Sequence, residues 1–310
     1  MKNYSLIIAL LFVSVVALAK TTRDDAPYMT KTFSKTIDVL KVRTSGGAIA
    51  VMGHSGETRV EVYIKANNWN GGSIDKAEVE ERLENYELTV KQDGNTLICE
   101  AKNKDESNWK FWNKKGLSIS FKIWVPEKTT TNLRTSGGSI SLSKLSGNQD
   151  FATSGGSLSL RSLGGNVKGR TSGGSMEIDN SNGDIDLSTS GGSISAKNCK
   201  GKLKLDTSGG SINLTDLSGT ILANTSGGSI NADISTLGES LELHTSGGSI
   251  NATVPMDKGI DLELRGDRVR SGQLNNFSGK TEKNYVKGKV NGGGILVKMT
   301  TSGGTVNLND

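Results

Sequence analysis

Only three prolines and two cysteines occur in 310 residues, and aromatic residues make up 5% of the chain. So few cysteines exclude a disulfide-stapled scaffold, and Cys99 and Cys199 lack the spacing of a metal-ligand cluster. Scarce aromatics argue against an ordinary aromatic-rich globular core. Beyond the first twenty residues no apolar run is long enough to span a bilayer. Charge is not lopsided: the net value is +5, with lysines and acids interspersed, so charge alone calls for no nucleic-acid partner. What the chain has in excess is glycine, forty residues, which suits short strands joined by tight turns.

The one apolar run comes first. Lys2 precedes an uncharged apolar stretch over residues 6–18, and Ala17 and Ala19 supply the small residues that a signal peptidase reads. Residues 1–19 are therefore expected to be a signal peptide, removed before Lys20. No cysteine stands near the cleavage point to carry a lipid. The expected mature chain is exported, to the periplasm, the cell surface or the medium, with no transmembrane segment.

Glycine is concentrated in a repeat. The phrase TSGG begins at Thr44, Thr135, Thr153, Thr171, Thr189, Thr207, Thr225, Thr245 and Thr301, and from Thr135 to Thr225 every step is eighteen residues. A fixed period of this kind marks a repeat architecture in which each unit buries its apolar face only against its neighbours. Counting Thr as position one, the sixth and eighth positions are apolar throughout, as in Ile194 and Ala196 or Ile212 and Leu214. Two apart, they share one face of a strand. A second strand carries Val167, Ile185, Leu203 and Ile221 at position fifteen, with Phe151, Leu187 and Leu205 at seventeen. Position thirteen is glycine, from Gly147 to Gly219, and the TSGG pair makes the other corner. Both corners fit sharp turns needing positive φ.

The pattern predicts an all-β fold: a parallel β-helix or solenoid with coils of about eighteen residues and two strands each. Outward positions favour one register, since position sixteen alternates as Asp150, Lys168, Asp186, Lys204. The Thr opening each coil shares parity with the core positions, so a buried corner ladder is expected, not an exposed ice-binding array. Cys199 falls where Leu145, Leu163 and Leu217 stand in other coils and reads as a small buried apolar residue. The two long gaps between TSGG copies, 91 and 56 residues, are close to five and three periods, which predicts degenerate coils within them and fourteen or fifteen coils in all.

The TSGGSI phrases, the export signal and the closing NGGG…TSGG between Asn291 and Gly304 resemble the bacterial putative-adhesin family of exported, Gly-rich β-strand-repeat proteins, largely of unknown function. The resemblance covers roughly residues 37–310. It implies a parallel β-helix-like fold and an envelope or surface location, and it supplies no catalytic residues.

Residues 20–134 read as a less regular β region. Val60, Val62 and Ile64, like Leu117, Ile119, Phe121, Ile123 and Val125, alternate with polar residues in half-buried strands. Asp75-Lys76-Ala77-Glu78 resembles a capping box that opens a short helix near residues 75–86, with Val79, Leu83 and Tyr86 as its apolar stripe. The helix is expected to cap a solenoid end. Regular repeats occupy 135–254, and degenerate coils and a cap 255–310. All four tryptophans lie in the first of these regions. Trp69 and the segment Trp109, Lys110, Phe111, Trp112, Lys114, Lys115 form the candidate ligand-binding residues, since aromatics beside lysines can stack a sugar ring or meet a lipid head group. The competing reading is that they pack over the end of the solenoid. Trp124 falls on the polar side of its strand.

No nucleophile elbow, phosphate loop or metal-ligand cluster appears, and the Gly-Gly pairs lack the spaced aspartates of calcium-binding repeats. No catalytic residue, metal or cofactor is therefore assigned. His54 and His244 are far apart in sequence, and Arg265-Gly266-Asp267 matches a tripeptide that host-cell receptors read, a match short enough to arise by chance. The expected function is an exported, non-enzymatic structural or adhesive binding protein of the bacterial envelope. Glycans, anionic lipid head groups or envelope proteins are its expected partners. The alternatives are a β-helical polysaccharide-active enzyme and a periplasmic scaffold or sensor.

Overall fold

A computed structural model describes residues 26–66, 76–104 and 116–310. The expected signal peptide and the aromatic–lysine segment lie outside them. The described chain is a two-sided parallel solenoid. In each coil a strand on a back sheet ends at the TSGG corner, and a strand on a front sheet follows it. Register is strict: Asn166–Thr171 pairs in parallel with Asn182–Thr189, and Met176–Asp179 with Ile194–Lys197. Positions six, eight, fifteen and seventeen point inward, and their apolar side chains join one core running from Ile37 to Leu308. Cys199 is buried in that core as expected. Position seventeen of one coil is Gly169, because the Phe151 ring fills its space: a Cβ there would lie 2.4 Å from the ring.

Each long gap holds one degenerate coil and not the several expected. The strand Val39–Thr44 pairs with Thr130–Thr135 on one side and Thr96–Asn103 on the other. On the front sheet Ile49–Gly53 likewise lies between Ile140–Ser143 and Leu117–Val125. The first coil in sequence is thus second in space. The last behaves the same way: Ile295–Thr301 inserts between Ile230–Thr245 and Ile260–Arg265, and Thr305–Asn309 between Ile250–Thr253 and Arg268–Ser271. All nine TSGG corners therefore stack without interruption, with one further coil at each end, so the described solenoid has eleven coils. At ~4.8 Å per coil that is about 50 Å. Each gap folds into the cap at its own end. Antiparallel strands Thr58–Ala66 and Met29–Phe33 close the front sheet, and Tyr86–Asp93 closes the back sheet. Tyr285–Val290 and Phe277–Glu282 close the opposite end.

The expected helix spans Lys76–Leu83 and contacts the strands of the first cap. It stops short of Tyr86, which opens an edge strand instead and whose hydroxyl accepts the Leu117 amide at 2.9 Å.

The TSGG corner works through its threonine and its second glycine. Thr189 Oγ1 donates to the Gly174 carbonyl of the preceding coil at 2.9 Å and accepts the Gly192 amide of its own corner at 3.4 Å. Eight of the nine threonines donate to such a glycine carbonyl, Thr44 donates to the Ile119 carbonyl in its place, and all nine are buried. The reason for glycine differs from the one expected. The second glycine has no positive φ; it sits so close to the coil below that a Cβ on Gly192 would come 2.2 Å from the Gly174 carbonyl oxygen. Left-handed backbone does occur, as expected, at position thirteen, as at Gly183 (φ 118), and also at position ten, filled by Lys144, Ser162, Asn180, Asn198 and Asp216 with φ between 51 and 56. Asparagine and aspartate tolerate that region better than other side chains do.

The alternating column pairs in register as expected, Asp150 with Lys168 and Asp186 with Lys204. Its acids, however, meet arginines of the next outward column: Arg134 lies 3.0 Å from Asp150 and Arg170 3.9 Å from Asp186. Lys168 makes no ion pair among the described residues.

Candidate functional site

The residues that carried the expected site, Trp69, Trp109, Lys110, Phe111, Trp112, Lys114 and Lys115, lie outside the described residues. The described aromatic that faces outward beside cations is Trp124. Its strand, Leu117–Val125, buries Leu117, Ile119, Phe121, Ile123 and Val125, which forces Lys122 and Trp124 onto the outer face of the front sheet. Antiparallel pairing with Thr58–Ala66 sets Arg59 directly opposite Trp124 and Glu61 opposite Lys122. On the other flank Met52, itself 40% exposed, stands in register with Trp124.

Two cations meet the indole. The Arg59 guanidinium carbon lies 4.0 Å and the Lys122 ammonium 5.0 Å from the ring centroid, both within cation–π reach. Glu61 sits between Arg59, at 3.4 Å, and the Tyr63 hydroxyl, which donates to it at 2.7 Å. The Arg59–Glu61 contact is an ion pair without hydrogen-bond geometry, so the buried Arg59 Nε keeps an unused donor. Beside this cluster a hollow of about 430 Å³ is lined by Thr32, His54, Glu57, Arg59 and Trp124.

His54 does not act there as a free base. The Gly56 amide donates to Nδ1 at 3.0 Å, so Nε2 carries the hydrogen and donates to the Glu57 carbonyl at 2.9 Å. Both ring nitrogens serve the loop that shapes the hollow. Among the described residues no group of His, Cys, Asp and Glu could hold a metal ion. What the hollow offers is an aromatic edge ringed by donors and acceptors, the usual furniture of a site that orients a polar ring. His244 stands apart, exposed on the back sheet, and Arg265-Gly266-Asp267 forms an exposed turn at the far end.

The outward direction of Trp124 was readable from its strand. Arg59, His54, Glu57 and Thr32 were not, because only an antiparallel pairing across some sixty residues brings them to it.

The repeat, the corner ladder and the coil at each end fall within one family model, Toastrack DUF4097, which matches residues 34–309. The chain belongs to this family. Toastrack DUF4097 thus spans the solenoid from its first coil to its last. Among solved structures, the chain is similar to a putative adhesin from Parabacteroides distasonis ATCC 8503, with 12% identity over 92% of this chain and 98% of that one and a TM-score of 0.39. It is similar to a putative adhesin from Bacteroides fragilis NCTC 9343, with 13% identity over 90% and 96% and a TM-score of 0.37. A putative cell adhesion protein from Clostridium sporogenes ATCC 15579 matches at 13% identity over 91% and 98%, with a TM-score of 0.21. No curated protein matches the chain.

Proposed function

We propose that this Toastrack chain is an exported, non-enzymatic adhesive or structural binding protein of the bacterial envelope, acting through the outer faces of its solenoid. The observation that carries the reading is the Trp124 cluster: an outward tryptophan flanked by Arg59 and Lys122 beside an open hollow, on a sheet whose other outward positions are mostly Ser, Asn and mixed charges. The rigid stack holds that cluster in place, and a glycan is the partner its mixture of ring edge, donors and acceptors fits best. No helix among the described residues is long and apolar enough to cross a membrane.

A polysaccharide-active enzyme fits the same hollow less well, since His54 is tied to backbone on both sides. The segment Trp109, Lys110, Phe111, Trp112, Lys114, Lys115, with Trp69, is a second proposed platform, and anionic lipid head groups and envelope proteins are its further candidate partners. A glycan and lipid array read with wild type, Trp124→Ala and the Trp109→Ala/Trp112→Ala double variant tests both platforms. Loss of binding by about tenfold in Trp124→Ala, at unchanged unfolding temperature, is expected. Equal binding by wild type and Trp124→Ala would remove this cluster from the function, and turnover of any arrayed glycan would favour the enzyme.

A further inference from the structure

A second feature lies on the back sheet, beside the TSGG corner. Register there stacks the outward residues Glu100, Arg43, Arg134, Ala152, Arg170 and Ser188 in one column. Arg43 and Arg134 are direct neighbours, ~4.8 Å apart at the backbone, and like charges so placed destabilise a sheet. Acids of the adjoining column relieve two of the arginines, Asp150 at Arg134 and Asp186, at 3.9 Å, at Arg170, and leave Arg43 without one. Arg134 is engaged, donating to Asp150 Oδ2 at 3.0 Å and to the Leu133 and Asp150 carbonyls at 2.9 and 3.1 Å. Arg170 donates to Ser188 Oγ at 3.2 Å. Glu100 is taken by Lys102 at 2.9 Å, and Arg43, fully outward, makes no ion pair or side-chain hydrogen bond among the described residues. The adjoining column alternates, with Lys41 and Lys168 cationic and Asp150 and Asp186 anionic.

The surface between these arginines is concave. Ala152 leaves a notch between Arg134 and Arg170, which stand two coils apart, ~9.6 Å. A depression of about 500 Å³ runs past them along the exposed corner residues Ser154, Ser172 and Ser190. A second, of about 380 Å³, continues from Arg134 past Arg43 and Lys41. The two meet at Arg134 and follow one another along the solenoid axis as a trough, with Arg43, Arg134 and Arg170 on its floor, Glu100 at one end and serine hydroxyls on its rim.

We propose that this trough binds an acidic polysaccharide, with sugar carboxylates on Arg43, Arg134 and Arg170 and sugar hydroxyls on Ser154, Ser172 and Ser190. The arginine fork matches a carboxylate in two hydrogen bonds, and a linear row of such forks suits a polymer that repeats its charge. No aromatic side chain lines the trough, so a single-stranded nucleic acid would find no stacking there. The exposed large apolar side chains among the described residues, Tyr28 and Met52, lie on the other side of the molecule, so a lipid surface would find nothing to insert. The proposal needs the accessible outer face assumed above, but not Trp124, which is on the opposite sheet.

The test is binding of the full mature chain to polygalacturonate, with neutral dextran, dextran sulfate and oligo-dT as comparisons, for wild type, Arg43→Gln and Ala152→Gln. The first variant removes an unpaired cation; the second fills the notch and keeps every charge. Polygalacturonate is expected to bind wild type, less tightly as salt rises, and each variant is expected to lose at least fivefold. The unfolding temperature of Arg43→Gln should be unchanged or higher, because a like-charge neighbour has gone. Polygalacturonate binding that falls in Trp124→Ala and is kept in Arg43→Gln would place the polymer at the front-sheet cluster and overturn this proposal, so that failure of the one site and of the other are told apart. No binding of polygalacturonate, equal binding by all variants, or tighter binding of oligo-dT or dextran sulfate would each overturn the proposal.

Discussion

Thr135 Oγ1 donates to the Gly47 carbonyl at 2.8 Å across 88 residues of chain. Thr153 makes the same bond to Gly138, at the same length, across 15. The corner ladder is therefore blind to connectivity. A coil stacks on whichever neighbour presents a matching corner, and the intervening chain is free to build a cap. At the other end Thr301 reaches Gly248 in the same way, at 2.7 Å.

The close approach of coils at the corner makes its two glycines unequal. A Cβ on Gly192 would lie 2.2 Å from the Gly174 oxygen, whereas the nearest atoms to a Cβ on Gly191 are 3.5 Å away. Gly192→Ala should cost about 1–3 kcal/mol or more, as overpacking does. Gly191→Ala should cost well under 1 kcal/mol. Chemical denaturation of the two variants checks this, and equal losses would contradict the packing reason given for the second glycine.

Inward and outward positions alternate at Ile194 and Ser195. Ile194 is fully buried, so Ile194→Asp places an unpartnered carboxylate in the core and should cost several kcal/mol. Ser195 stands next to Asn213, the first member of a ladder in which Asn231 donates to Asn213 at 3.0 Å and Asn251 to Asn231 at 2.9 Å. Ser195→Asn would extend that ladder and should leave stability unchanged or slightly raised. Thermal unfolding of both variants decides between the faces.

Cys99 and Cys199 are both buried and unbridged. Burial pushes the Cys99 thiol up from 9.0 to about 12, with Lys31 pulling weakly the other way, and burial raises Cys199 as well. Because the folded state holds the proton more tightly, the stabilisation is complete below pH 9 and is lost between pH 9 and 12. The slope should approach about 1.4 kcal/mol per pH unit for each fully protected thiol. Denaturant unfolding of wild type and Cys99→Ala from pH 8 to 11 reads it. The alanine variant should lose stability less steeply with pH, and identical slopes would mean that Cys99 ionises as readily folded as unfolded.

The regular coils were legible because a period of eighteen, read down its columns, separates core from surface without knowledge of the fold. Ile194, Leu203 and Cys199 fell where the columns put them. The caps were not legible, since nothing in the local pattern of Val39–Thr44 reveals that its neighbours are Thr96–Asn103 and Thr130–Thr135. Gap lengths near whole periods pointed to several coils, when each gap contains one coil and, beside it, strands running the opposite way. The same blindness hid most of the Trp124 hollow. Alternation alone placed Trp124 outward, but Arg59 and His54 reach it through that reversed strand. The arginine trough needed only register, and would have followed from the repeat alignment had Arg43 been known to stack on Arg134.

The most direct test of this insertion topology is a cross-link between the first two TSGG corners in space, Ser45 and Ser136. Both are exposed, and the Ser136 amide donates to the Ser45 carbonyl at 3.1 Å, which makes them neighbours in adjacent coils. Cysteines at these positions, in a background with Cys99→Ala and Cys199→Ala, would have Cα atoms ~4.8 Å apart, inside the range that a disulfide spans. Oxidation of the folded protein should close the bridge nearly completely, visible as a mobility shift that reducing agent reverses and as a disulfide-linked pair of tryptic peptides, residues 44–59 and 135–144, by mass spectrometry. If five coils in series filled the gap instead, the two corners would stand more than ~20 Å apart. Failure of the bridge to form in folded, monomeric protein would contradict the insertion of the first coil and, with it, the unbroken stack of nine corners.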